Sequence, residues 1–150
     1  MKIILLCFLT FSSVVTLGQT PGDSLGKDEN FIKYLAQTIR FPVEGMRQGI
    51  MAKVYAGFRI DEQGKSQDVV ILNPEKIGYG FGEAVTRVLR KMPAQRPIYA
   101  GAYAAVFNFG FSNGSNDPNP KLMAGKLPDE FLGQRKPLPE VVIIGYSVRR

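Results

Sequence analysis

The sequence predicts an α+β fold in which a small antiparallel sheet of three strands carries two helices on one face. Three patterns lead to this prediction. Apolar residues take every second position over residues 50–60, aromatic residues take four of the five odd-numbered positions over 103–111, and residues 81–92 repeat apolar side chains at helical spacing. Period-two alternation is typical of half-buried strands, and the spacing i, i+3, i+4, i+7 is typical of a helix that packs by one side.

The first helix is expected to start at Asp28 or Asn30 and to run to about Ile39. Asp and Asn cap helix N-termini by accepting hydrogen bonds from free backbone N–H groups. Pro42 ends the helix, because the residue before a proline is pushed out of the helical region. Within the helix, apolar residues fall at intervals of four.

The alternating run 50–60 is predicted to form a β-hairpin with a second strand over 66–72. The residues between the two runs are Asp61-Glu62-Gln63-Gly64, and the second run ends at Asn73-Pro74. Asp and Gly are turn formers, and a glycine is free to take positive φ.

Residues 81–92 are predicted as the second helix and 103–111 as the third strand. Pro93 and Pro97 follow the helix, and Gly101 marks a turn before the strand. The helix has a strongly apolar side, so we expect it to pack on the sheet. Its other side carries a basic cluster of Arg87, Arg90 and Lys91.

The C-terminal part has a different composition. Five of the ten prolines fall in residues 112–140, which predicts a flexible linker. Residues 141–150 are predicted as a tail strand, because a β-prone run stands at their start: Val141, Val142, Ile143, Ile144, Gly145 and Tyr146. The globular domain is therefore expected over 28–111, with a polar leader at 19–27.

Residues 1–18 are predicted to be a signal peptide. Lys2 precedes a largely apolar run over 3–17, and Gly18 offers a small residue near the cleavage position. An uncleaved anchor is the alternative, although the run is shorter than the roughly 20 apolar residues of a membrane span. We therefore expect an exported, periplasmic protein.

The composition excludes most catalytic machinery. The 150 residues include no histidine and one cysteine, Cys7, which leaves out His-based triads and zinc sites built from His or Cys. Acidic residues such as Asp61 and Glu83 could act as a carboxylate pair, but nothing in the sequence brings two of them to one cleft. We expect no catalytic residue, no metal and no cofactor.

The net charge is +6. A basic surface favours acidic partners or a membrane face. Nucleic acid is not expected as a partner, since the basic residues are scattered and the chain is expected to be exported. A solvated helix face is the simple interpretation of the Arg87, Arg90 and Lys91 cluster.

Residues 31–111 resemble the C-terminal domain of TonB, the energy-transducing protein of two-membrane bacteria. The matching stretches are Phe31-Ile32-Lys33-Tyr34 running to Arg40-Phe41-Pro42, Val54-Tyr55-Ala56-Gly57-Phe58-Arg59-Ile60-Asp61, Val69-Val70-Ile71-Leu72, Glu83-Ala84-Val85-Thr86-Arg87-Val88, Lys91-Met92-Pro93 and Val106-Phe107-Asn108-Phe109. The sequence departs from the family at Gln95, where such domains usually carry tryptophan. Little chain separates the predicted signal from the domain, so a freestanding binding module is expected rather than a force transmitter.

The resemblance implies a periplasmic domain that binds the TonB box of an outer-membrane transporter by adding it to the exposed edge of the sheet, in TonB-dependent transport. An edge strand offers unpaired N–H and C=O groups to another strand. On the family pattern the binding edge is the last strand, with residues Tyr103, Ala104, Ala105, Val106, Phe107, Asn108 and Phe109. Another TonB protein, or a second copy of the chain in a homodimer by strand exchange, is an alternative partner.

The tail is similar to a segment of SusC-type transporters. Glu140-Val141-Val142-Ile143-Ile144-Gly145-Tyr146 looks like the Glu-Val-Val-Val-x-Gly-Tyr segment thought to serve as their TonB box. The tail could therefore cap the chain's own edge until a transporter displaces it, pair with another molecule, or form a permanent extra strand. In the last case an adaptor of the cell envelope, with a self-capped sheet edge and a basic docking face, is the alternative function.

Overall fold

The computed structural model describes residues 24–112, 121–123 and 129–146. The predicted signal peptide, most of the leader and the end of the tail lie outside these ranges. The described part has an α+β architecture in which helices pack on a mixed sheet. It contains no helix long and apolar enough to span a membrane.

The first helix, α1, covers Glu29–Thr38 and confirms the sequence prediction. Asp28 is its N-cap, since its Oδ1 accepts hydrogen bonds from the backbone N–H groups of Asn30 at 2.9 Å and Phe31 at 3.1 Å. Ile39 is already extended, as expected so close to Pro42. A short helix that the sequence analysis missed, α2, follows at Val43–Arg47. It has one turn and buries only Gly45, so it leaves no periodic signal.

The hairpin prediction is also confirmed. Strand β1 covers Ala52–Ile60 and pairs antiparallel with β2, Ser66–Ile71. The pairing shifts register between Gly57 and Arg59, and Asp68 sits opposite this shift with φ +53°. Arg59 Nε lies 2.9 Å from Asp68 Oδ2. A bulge with one ion pair thus interrupts β2, which is a rim of the sheet.

Helix α3 covers Phe81–Arg90, and strand β3 covers Gly101–Phe111. The helix buries Phe81, Val85, Val88 and Leu89, and it packs on β1 and β2. A hydrogen bond links α1 to α3, since the Tyr34 hydroxyl donates to the Val88 carbonyl at 2.8 Å. Strand β3 pairs antiparallel with β1 over the whole length of β1.

The core lies between the helices and the sheet. Its largest fully buried side chains include Leu25, Leu35, Phe58, Ile60, Phe81, Leu89, Phe107 and Phe109. Leu25 belongs to a 3-10 helix, Leu25–Lys27, in the segment expected as a polar leader. That expectation differs from the structure, because Leu25 and Gly26 are buried against the rest of the chain.

The segment expected as a flexible linker contains ordered elements. Strand β4 covers Lys121–Met123, helix α4 Asp129–Leu132 and strand β5 Lys136–Pro137. Strand β6, Glu140–Gly145, follows them and falls where the tail strand was predicted. The sheet order is β2-β1-β3-β6-β4, and β5 also pairs with β3. Because β6 runs parallel to β3, the chain must first return along the sheet, and such a crossover needs a dozen or more residues. The proline-rich composition therefore belongs to a crossover connection.

A candidate strand-binding site along β3

The strand predicted to be a free edge lies inside the sheet. On one side β3 pairs with β1, and on the other it pairs in parallel with β5 and β6. The seven predicted edge residues are therefore corrected to an inner strand: Tyr103, Ala104, Ala105, Val106, Phe107 and Phe109 are buried, and Asn108 is partly buried. The expectation of a free edge considered residues 28–111 alone, and occupation of that edge by the chain's own tail was among its alternatives. Binding of a partner segment along these residues stays a prediction. The position expected for a partner's segment holds the chain's own tail.

The tail packs its alternate residues against aromatic rings of β3. Phe107 pairs with Val141, Phe109 with Ile143 and Phe111 with Gly145. Val141 is 2% exposed and Ile143 5% exposed, and both belong to the main core. The alternating aromatic side chains of β3 thus line one side of the position that the tail occupies.

Gly145 lies against the ring of Phe111 from β3 and the ring of Phe41 from the segment before α2. A Cβ atom added at Gly145 would be 2.8 Å from Phe41 Cδ2 and 3.0 Å from Phe111 Cε1. The Phe41 ring is held in place by three neighbours, since its centroid lies 5.5 Å from that of Phe81, 5.6 Å from that of Phe109 and 5.0 Å from that of Phe111. There is room for a hydrogen atom at this position, but not for a methyl group.

The opposite face of the tail carries a polar contact. Glu140 is the one polar or charged residue that is buried among those the structure describes. The Asn108 side-chain amide donates a hydrogen bond to Glu140 Oε1 at 2.8 Å, and Lys53 Nζ lies 3.5 Å from the same oxygen. The pairing of Lys53 with Glu140 is not predictable from the sequence, because their contact depends on the registers of β1, β3 and β6 together.

The residues just before the tail also contact the rest of the chain. The Leu138 N–H donates to the Ala104 carbonyl at 2.9 Å, and Leu138 is buried. Pro139 packs against Gly26, where an added Cβ would lie 2.6 Å from Pro139 Cδ. Lys136 places Nζ 5.9 Å from the Tyr103 ring centroid. Burial and the neighbouring Tyr99 raise the pKa of Tyr103, so its hydroxyl stays protonated and donates to the Tyr99 carbonyl at 2.7 Å.

The remaining predicted residues lie away from this pairing. Val142 and Ile144 are partly buried on the face that also carries Asn108, and Tyr146 is exposed. Arg87 and Arg90 on α3 and Lys91 at its C-cap are exposed, and they line a shallow depression with Glu83 and Thr86. A cleft of about 400 Å³ beside it runs between α3 and the start of α2.

The acidic residues Asp61 and Asp68 have local partners, whereas Glu83 lines the depression on α3. Asp61 Oδ1 accepts hydrogen bonds from the Gln63 and Lys65 N–H groups at 3.0 and 2.8 Å. These bonds, the Lys65 one foremost, lower the pKa of Asp61. Asp68 pairs with Arg59.

Comparisons with known proteins add no relative. The chain matches no family model, no curated protein and no solved structure.

Proposed function

We propose that the chain is a periplasmic, TonB-like peptide-binding module that holds an extended segment by β-strand addition along β3. Its partner is the TonB-box segment of an outer-membrane transporter in TonB-dependent transport. In the absence of the partner, the chain's own tail occupies the site. The observation that carries the proposal is the in-register pairing of β3 with β6, whose sequence is similar to that transporter segment.

The arrangement around β3 supports the proposal. Strand β1 pairs antiparallel with β2 on one side and with β3 on the other, and α1 and α3 contribute side chains to the same core. We infer that these elements form the TonB-like unit and that β5 and β6 are its bound ligand. Main-chain hydrogen bonds then supply affinity, and pockets for alternate side chains supply selectivity.

Exchange of the tail for a partner is energetically reasonable. Removing β6 exposes Val141 and Ile143, which costs about 1.5–3 kcal/mol for each side chain. A partner segment of the same pattern restores the same contacts, so the exchange itself is close to neutral. The tail competes at an effective concentration of order millimolar, because it is tethered to the site. A partner must therefore be present at high local concentration or bind through a second contact.

The alternative is a structural adaptor of the cell envelope with a permanently capped sheet edge and a basic docking face. Two observations favour it: the deep burial of Val141 and Ile143, and the exposure of Arg87, Arg90 and Lys91. The two functions differ in one property, which is whether β6 leaves β3 without unfolding of the domain.

A reversible lock on the tail tests this difference. Gly110 pairs with Ile144, and a Cβ at Gly110 would meet nothing within 4 Å. The variant Gly110→Cys/Ile144→Cys, in a Cys7→Ser background, is designed to tie β6 to β3 when oxidised. The probes are two labelled peptides, one with the tail sequence Leu-Pro-Glu-Val-Val-Ile-Ile-Gly-Tyr and one with the SusC-type pattern Glu-Val-Val-Val-x-Gly-Tyr.

We expect the reduced variant to bind both peptides and the oxidised variant to bind them at least about tenfold more weakly, a loss of about 1.4 kcal/mol or more. The matched control Gly110→Ser/Ile144→Ser should bind equally well with and without oxidant. Equal binding by the oxidised and reduced lock contradicts strand addition at β3. Absence of binding by the reduced protein at several-millimolar peptide favours the adaptor.

A further inference from the structure

We propose that the β3 site selects its segment by two fixed positions: a glutamate immediately before the apolar run and a glycine five residues after that glutamate. The tail supplies them as Glu140 and Gly145. The chain recognises the first with Asn108 and Lys53 and the second with Phe41 and Phe111. The inference rests on the proposed function, since it names the class of segment that strand addition would accept.

The glutamate position is specific because its carboxylate is buried. Glu140 is 7% exposed, so its charge has lost most of its water. Burying a charge is costly unless it is paired and hydrogen-bonded, and here the Asn108 amide at 2.8 Å and Lys53 Nζ at 3.5 Å supply both contacts. Aspartate is one methylene shorter and would fall short of these donors. A lysine would place like charges together.

The glycine position is specific because it is closed by two rings. The nearest ring atoms lie 2.8 to 3.0 Å from the place of a Cβ. Phe41 cannot give way freely, since it packs edge-on against Phe81 and Phe109. Alanine would therefore overpack this position, and longer side chains would overpack it further.

The positions between the two are less selective. Val141 and Ile143 face the core and require apolar side chains, whereas Val142 and Ile144 are only partly buried. The expected ligand is thus an extended segment of the form glutamate, apolar, any, apolar, any, glycine. Pairing through the backbone alone would show no such pattern.

A competition experiment tests the inference on the full chain. The labelled tail peptide is displaced by four unlabelled versions: the parent, one with glutamate changed to lysine, one with glycine changed to alanine, and a control with valine changed to threonine at the position of Val142. We expect the control to compete within about threefold of the parent. The lysine version should be weaker by about 100-fold or more, and the alanine version by about 5- to 100-fold.

A charge exchange separates recognition from general packing. Lys53 is half exposed, so Lys53→Glu should leave the fold intact. We expect this variant to bind the lysine peptide better than wild type does, whereas its binding of the parent peptide should change little, because the competing tail carries the same glutamate and is weakened equally. An unchanged order of the two peptides contradicts the assigned role of Lys53.

The same substitutions made in the chain's own tail can be followed by thermal unfolding, which does not require a peptide to replace the tail. Glu140→Lys and Gly145→Ala should lower the Tm by about 5 °C or more, and Val142→Thr should lower it by less. If the parent peptide binds and all versions compete equally, the selectivity is overturned while strand addition stands. If the parent peptide does not bind, the proposed function is overturned. In that case the three Tm values still test the selectivity for the chain's own tail. Larger losses for Glu140→Lys and Gly145→Ala than for Val142→Thr support it, and equal losses contradict it.

Discussion

At the scale of single residues, Gly64 fixes the contact between the hairpin turn and the segment after α3. Its φ is +80°, and an added Cβ would overlap the carbonyl oxygen of Gln95. The Gln95 N–H donates to the Gly64 carbonyl at 2.8 Å, so the hairpin turn and the segment after α3 cannot separate without loss of a hydrogen bond. We expect Gly64→Ala to lower the free energy of unfolding by about 3 kcal/mol or more in denaturant titrations.

Gly49 provides the matched control for this prediction. It also has a positive φ, +66°, but an added Cβ there meets nothing within 4 Å. Gly49→Ala should therefore cost only the left-handed backbone penalty of about 1–2 kcal/mol. Equal losses for the two variants would show that steric overlap with Gln95 contributes nothing.

Because of Asp28, the free energy of unfolding is expected to depend on pH in the acid range. Partial burial acts to raise the pKa of Asp28, but hydrogen bonds from the Phe31 N–H, the Tyr99 hydroxyl and the Asn30 N–H outweigh it and hold this pKa below 3.8. A lowered pKa in the folded state contributes stability above pH 3.8, which is lost as the pH falls through the lowered value.

We expect Asp28→Asn, which keeps the cap, to lose less stability than wild type between about pH 4 and pH 2. Asp28→Ala should cost about 1–2 kcal/mol at pH 7. Denaturant titrations at several pH values measure both effects. Parallel pH profiles for wild type and Asp28→Asn would contradict the assignment to this carboxyl. The acid-sensitive carboxyl would then have to be another, such as Asp61.

These residues also mark what the sequence predicts at this scale. Asp28 as a helix cap and Gly64 in a turn follow from local rules, because each acts within a few positions of itself. The contact of Glu140 with Asn108 and Lys53 does not, since it joins three strands far apart in the chain. Its existence depends on a register that composition and periodicity leave open.

At the scale of elements, β6 is expected to open separately from the rest of the sheet. It is the last strand in the described part of the chain, and its core contacts are made mainly by Val141 and Ile143. Exchange of the tail requires an opening that leaves β1 and α3 intact. We expect β6 amide hydrogens to exchange with deuterium through an opening of lower free energy than that of β1.

Native-state hydrogen exchange in low denaturant measures this difference strand by strand. The oxidised Gly110→Cys/Ile144→Cys lock should bring the protection of β6 up to that of β1. If β6 and β1 already exchange with the same free energy in wild type, the tail leaves only with global unfolding, and the adaptor becomes the better proposal.

The elements differ in how well the sequence predicts them. The hairpin, α1, α3 and β3 follow from periodicity and from Asp, Gly and Pro at their ends. The short helix α2 and the strands β4 and β5 have too few residues to establish a period. The parallel placement of β6 is set by packing against Phe107 and Phe109, which no local pattern in the tail specifies.

At the scale of the whole molecule, salt separates the two proposed functions. The net charge is +6, and Arg87, Arg90 and Lys91 are exposed together on α3. Docking through such a face weakens sharply as salt screens the charges, whereas backbone pairing is little affected. We expect the affinity for the labelled tail peptide to change by less than about threefold between 50 and 300 mM NaCl. The small remaining salt dependence is expected from the half-exposed Lys53, whose charge contacts the peptide's glutamate.

The triple variant Arg87→Gln/Arg90→Gln/Lys91→Gln tests the same point without changing the salt. Peptide binding measured by fluorescence anisotropy should stay within the same range. A loss above about tenfold in this variant would place the binding energy on the α3 face, as the adaptor requires.

The bulge at Asp68 has a consequence for crowded solutions. Regular, flat sheet rims promote fibril growth, because each chain offers a template to the next. The left-handed backbone of Asp68 and its ion pair with Arg59 bend the β2 rim away from that geometry. If copies of the chain exchange their last strands, a regular β2 rim would offer a template for open-ended stacking. We therefore expect the irregular rim at Asp68 to disfavour filaments and to favour closed pairs of exchanged molecules.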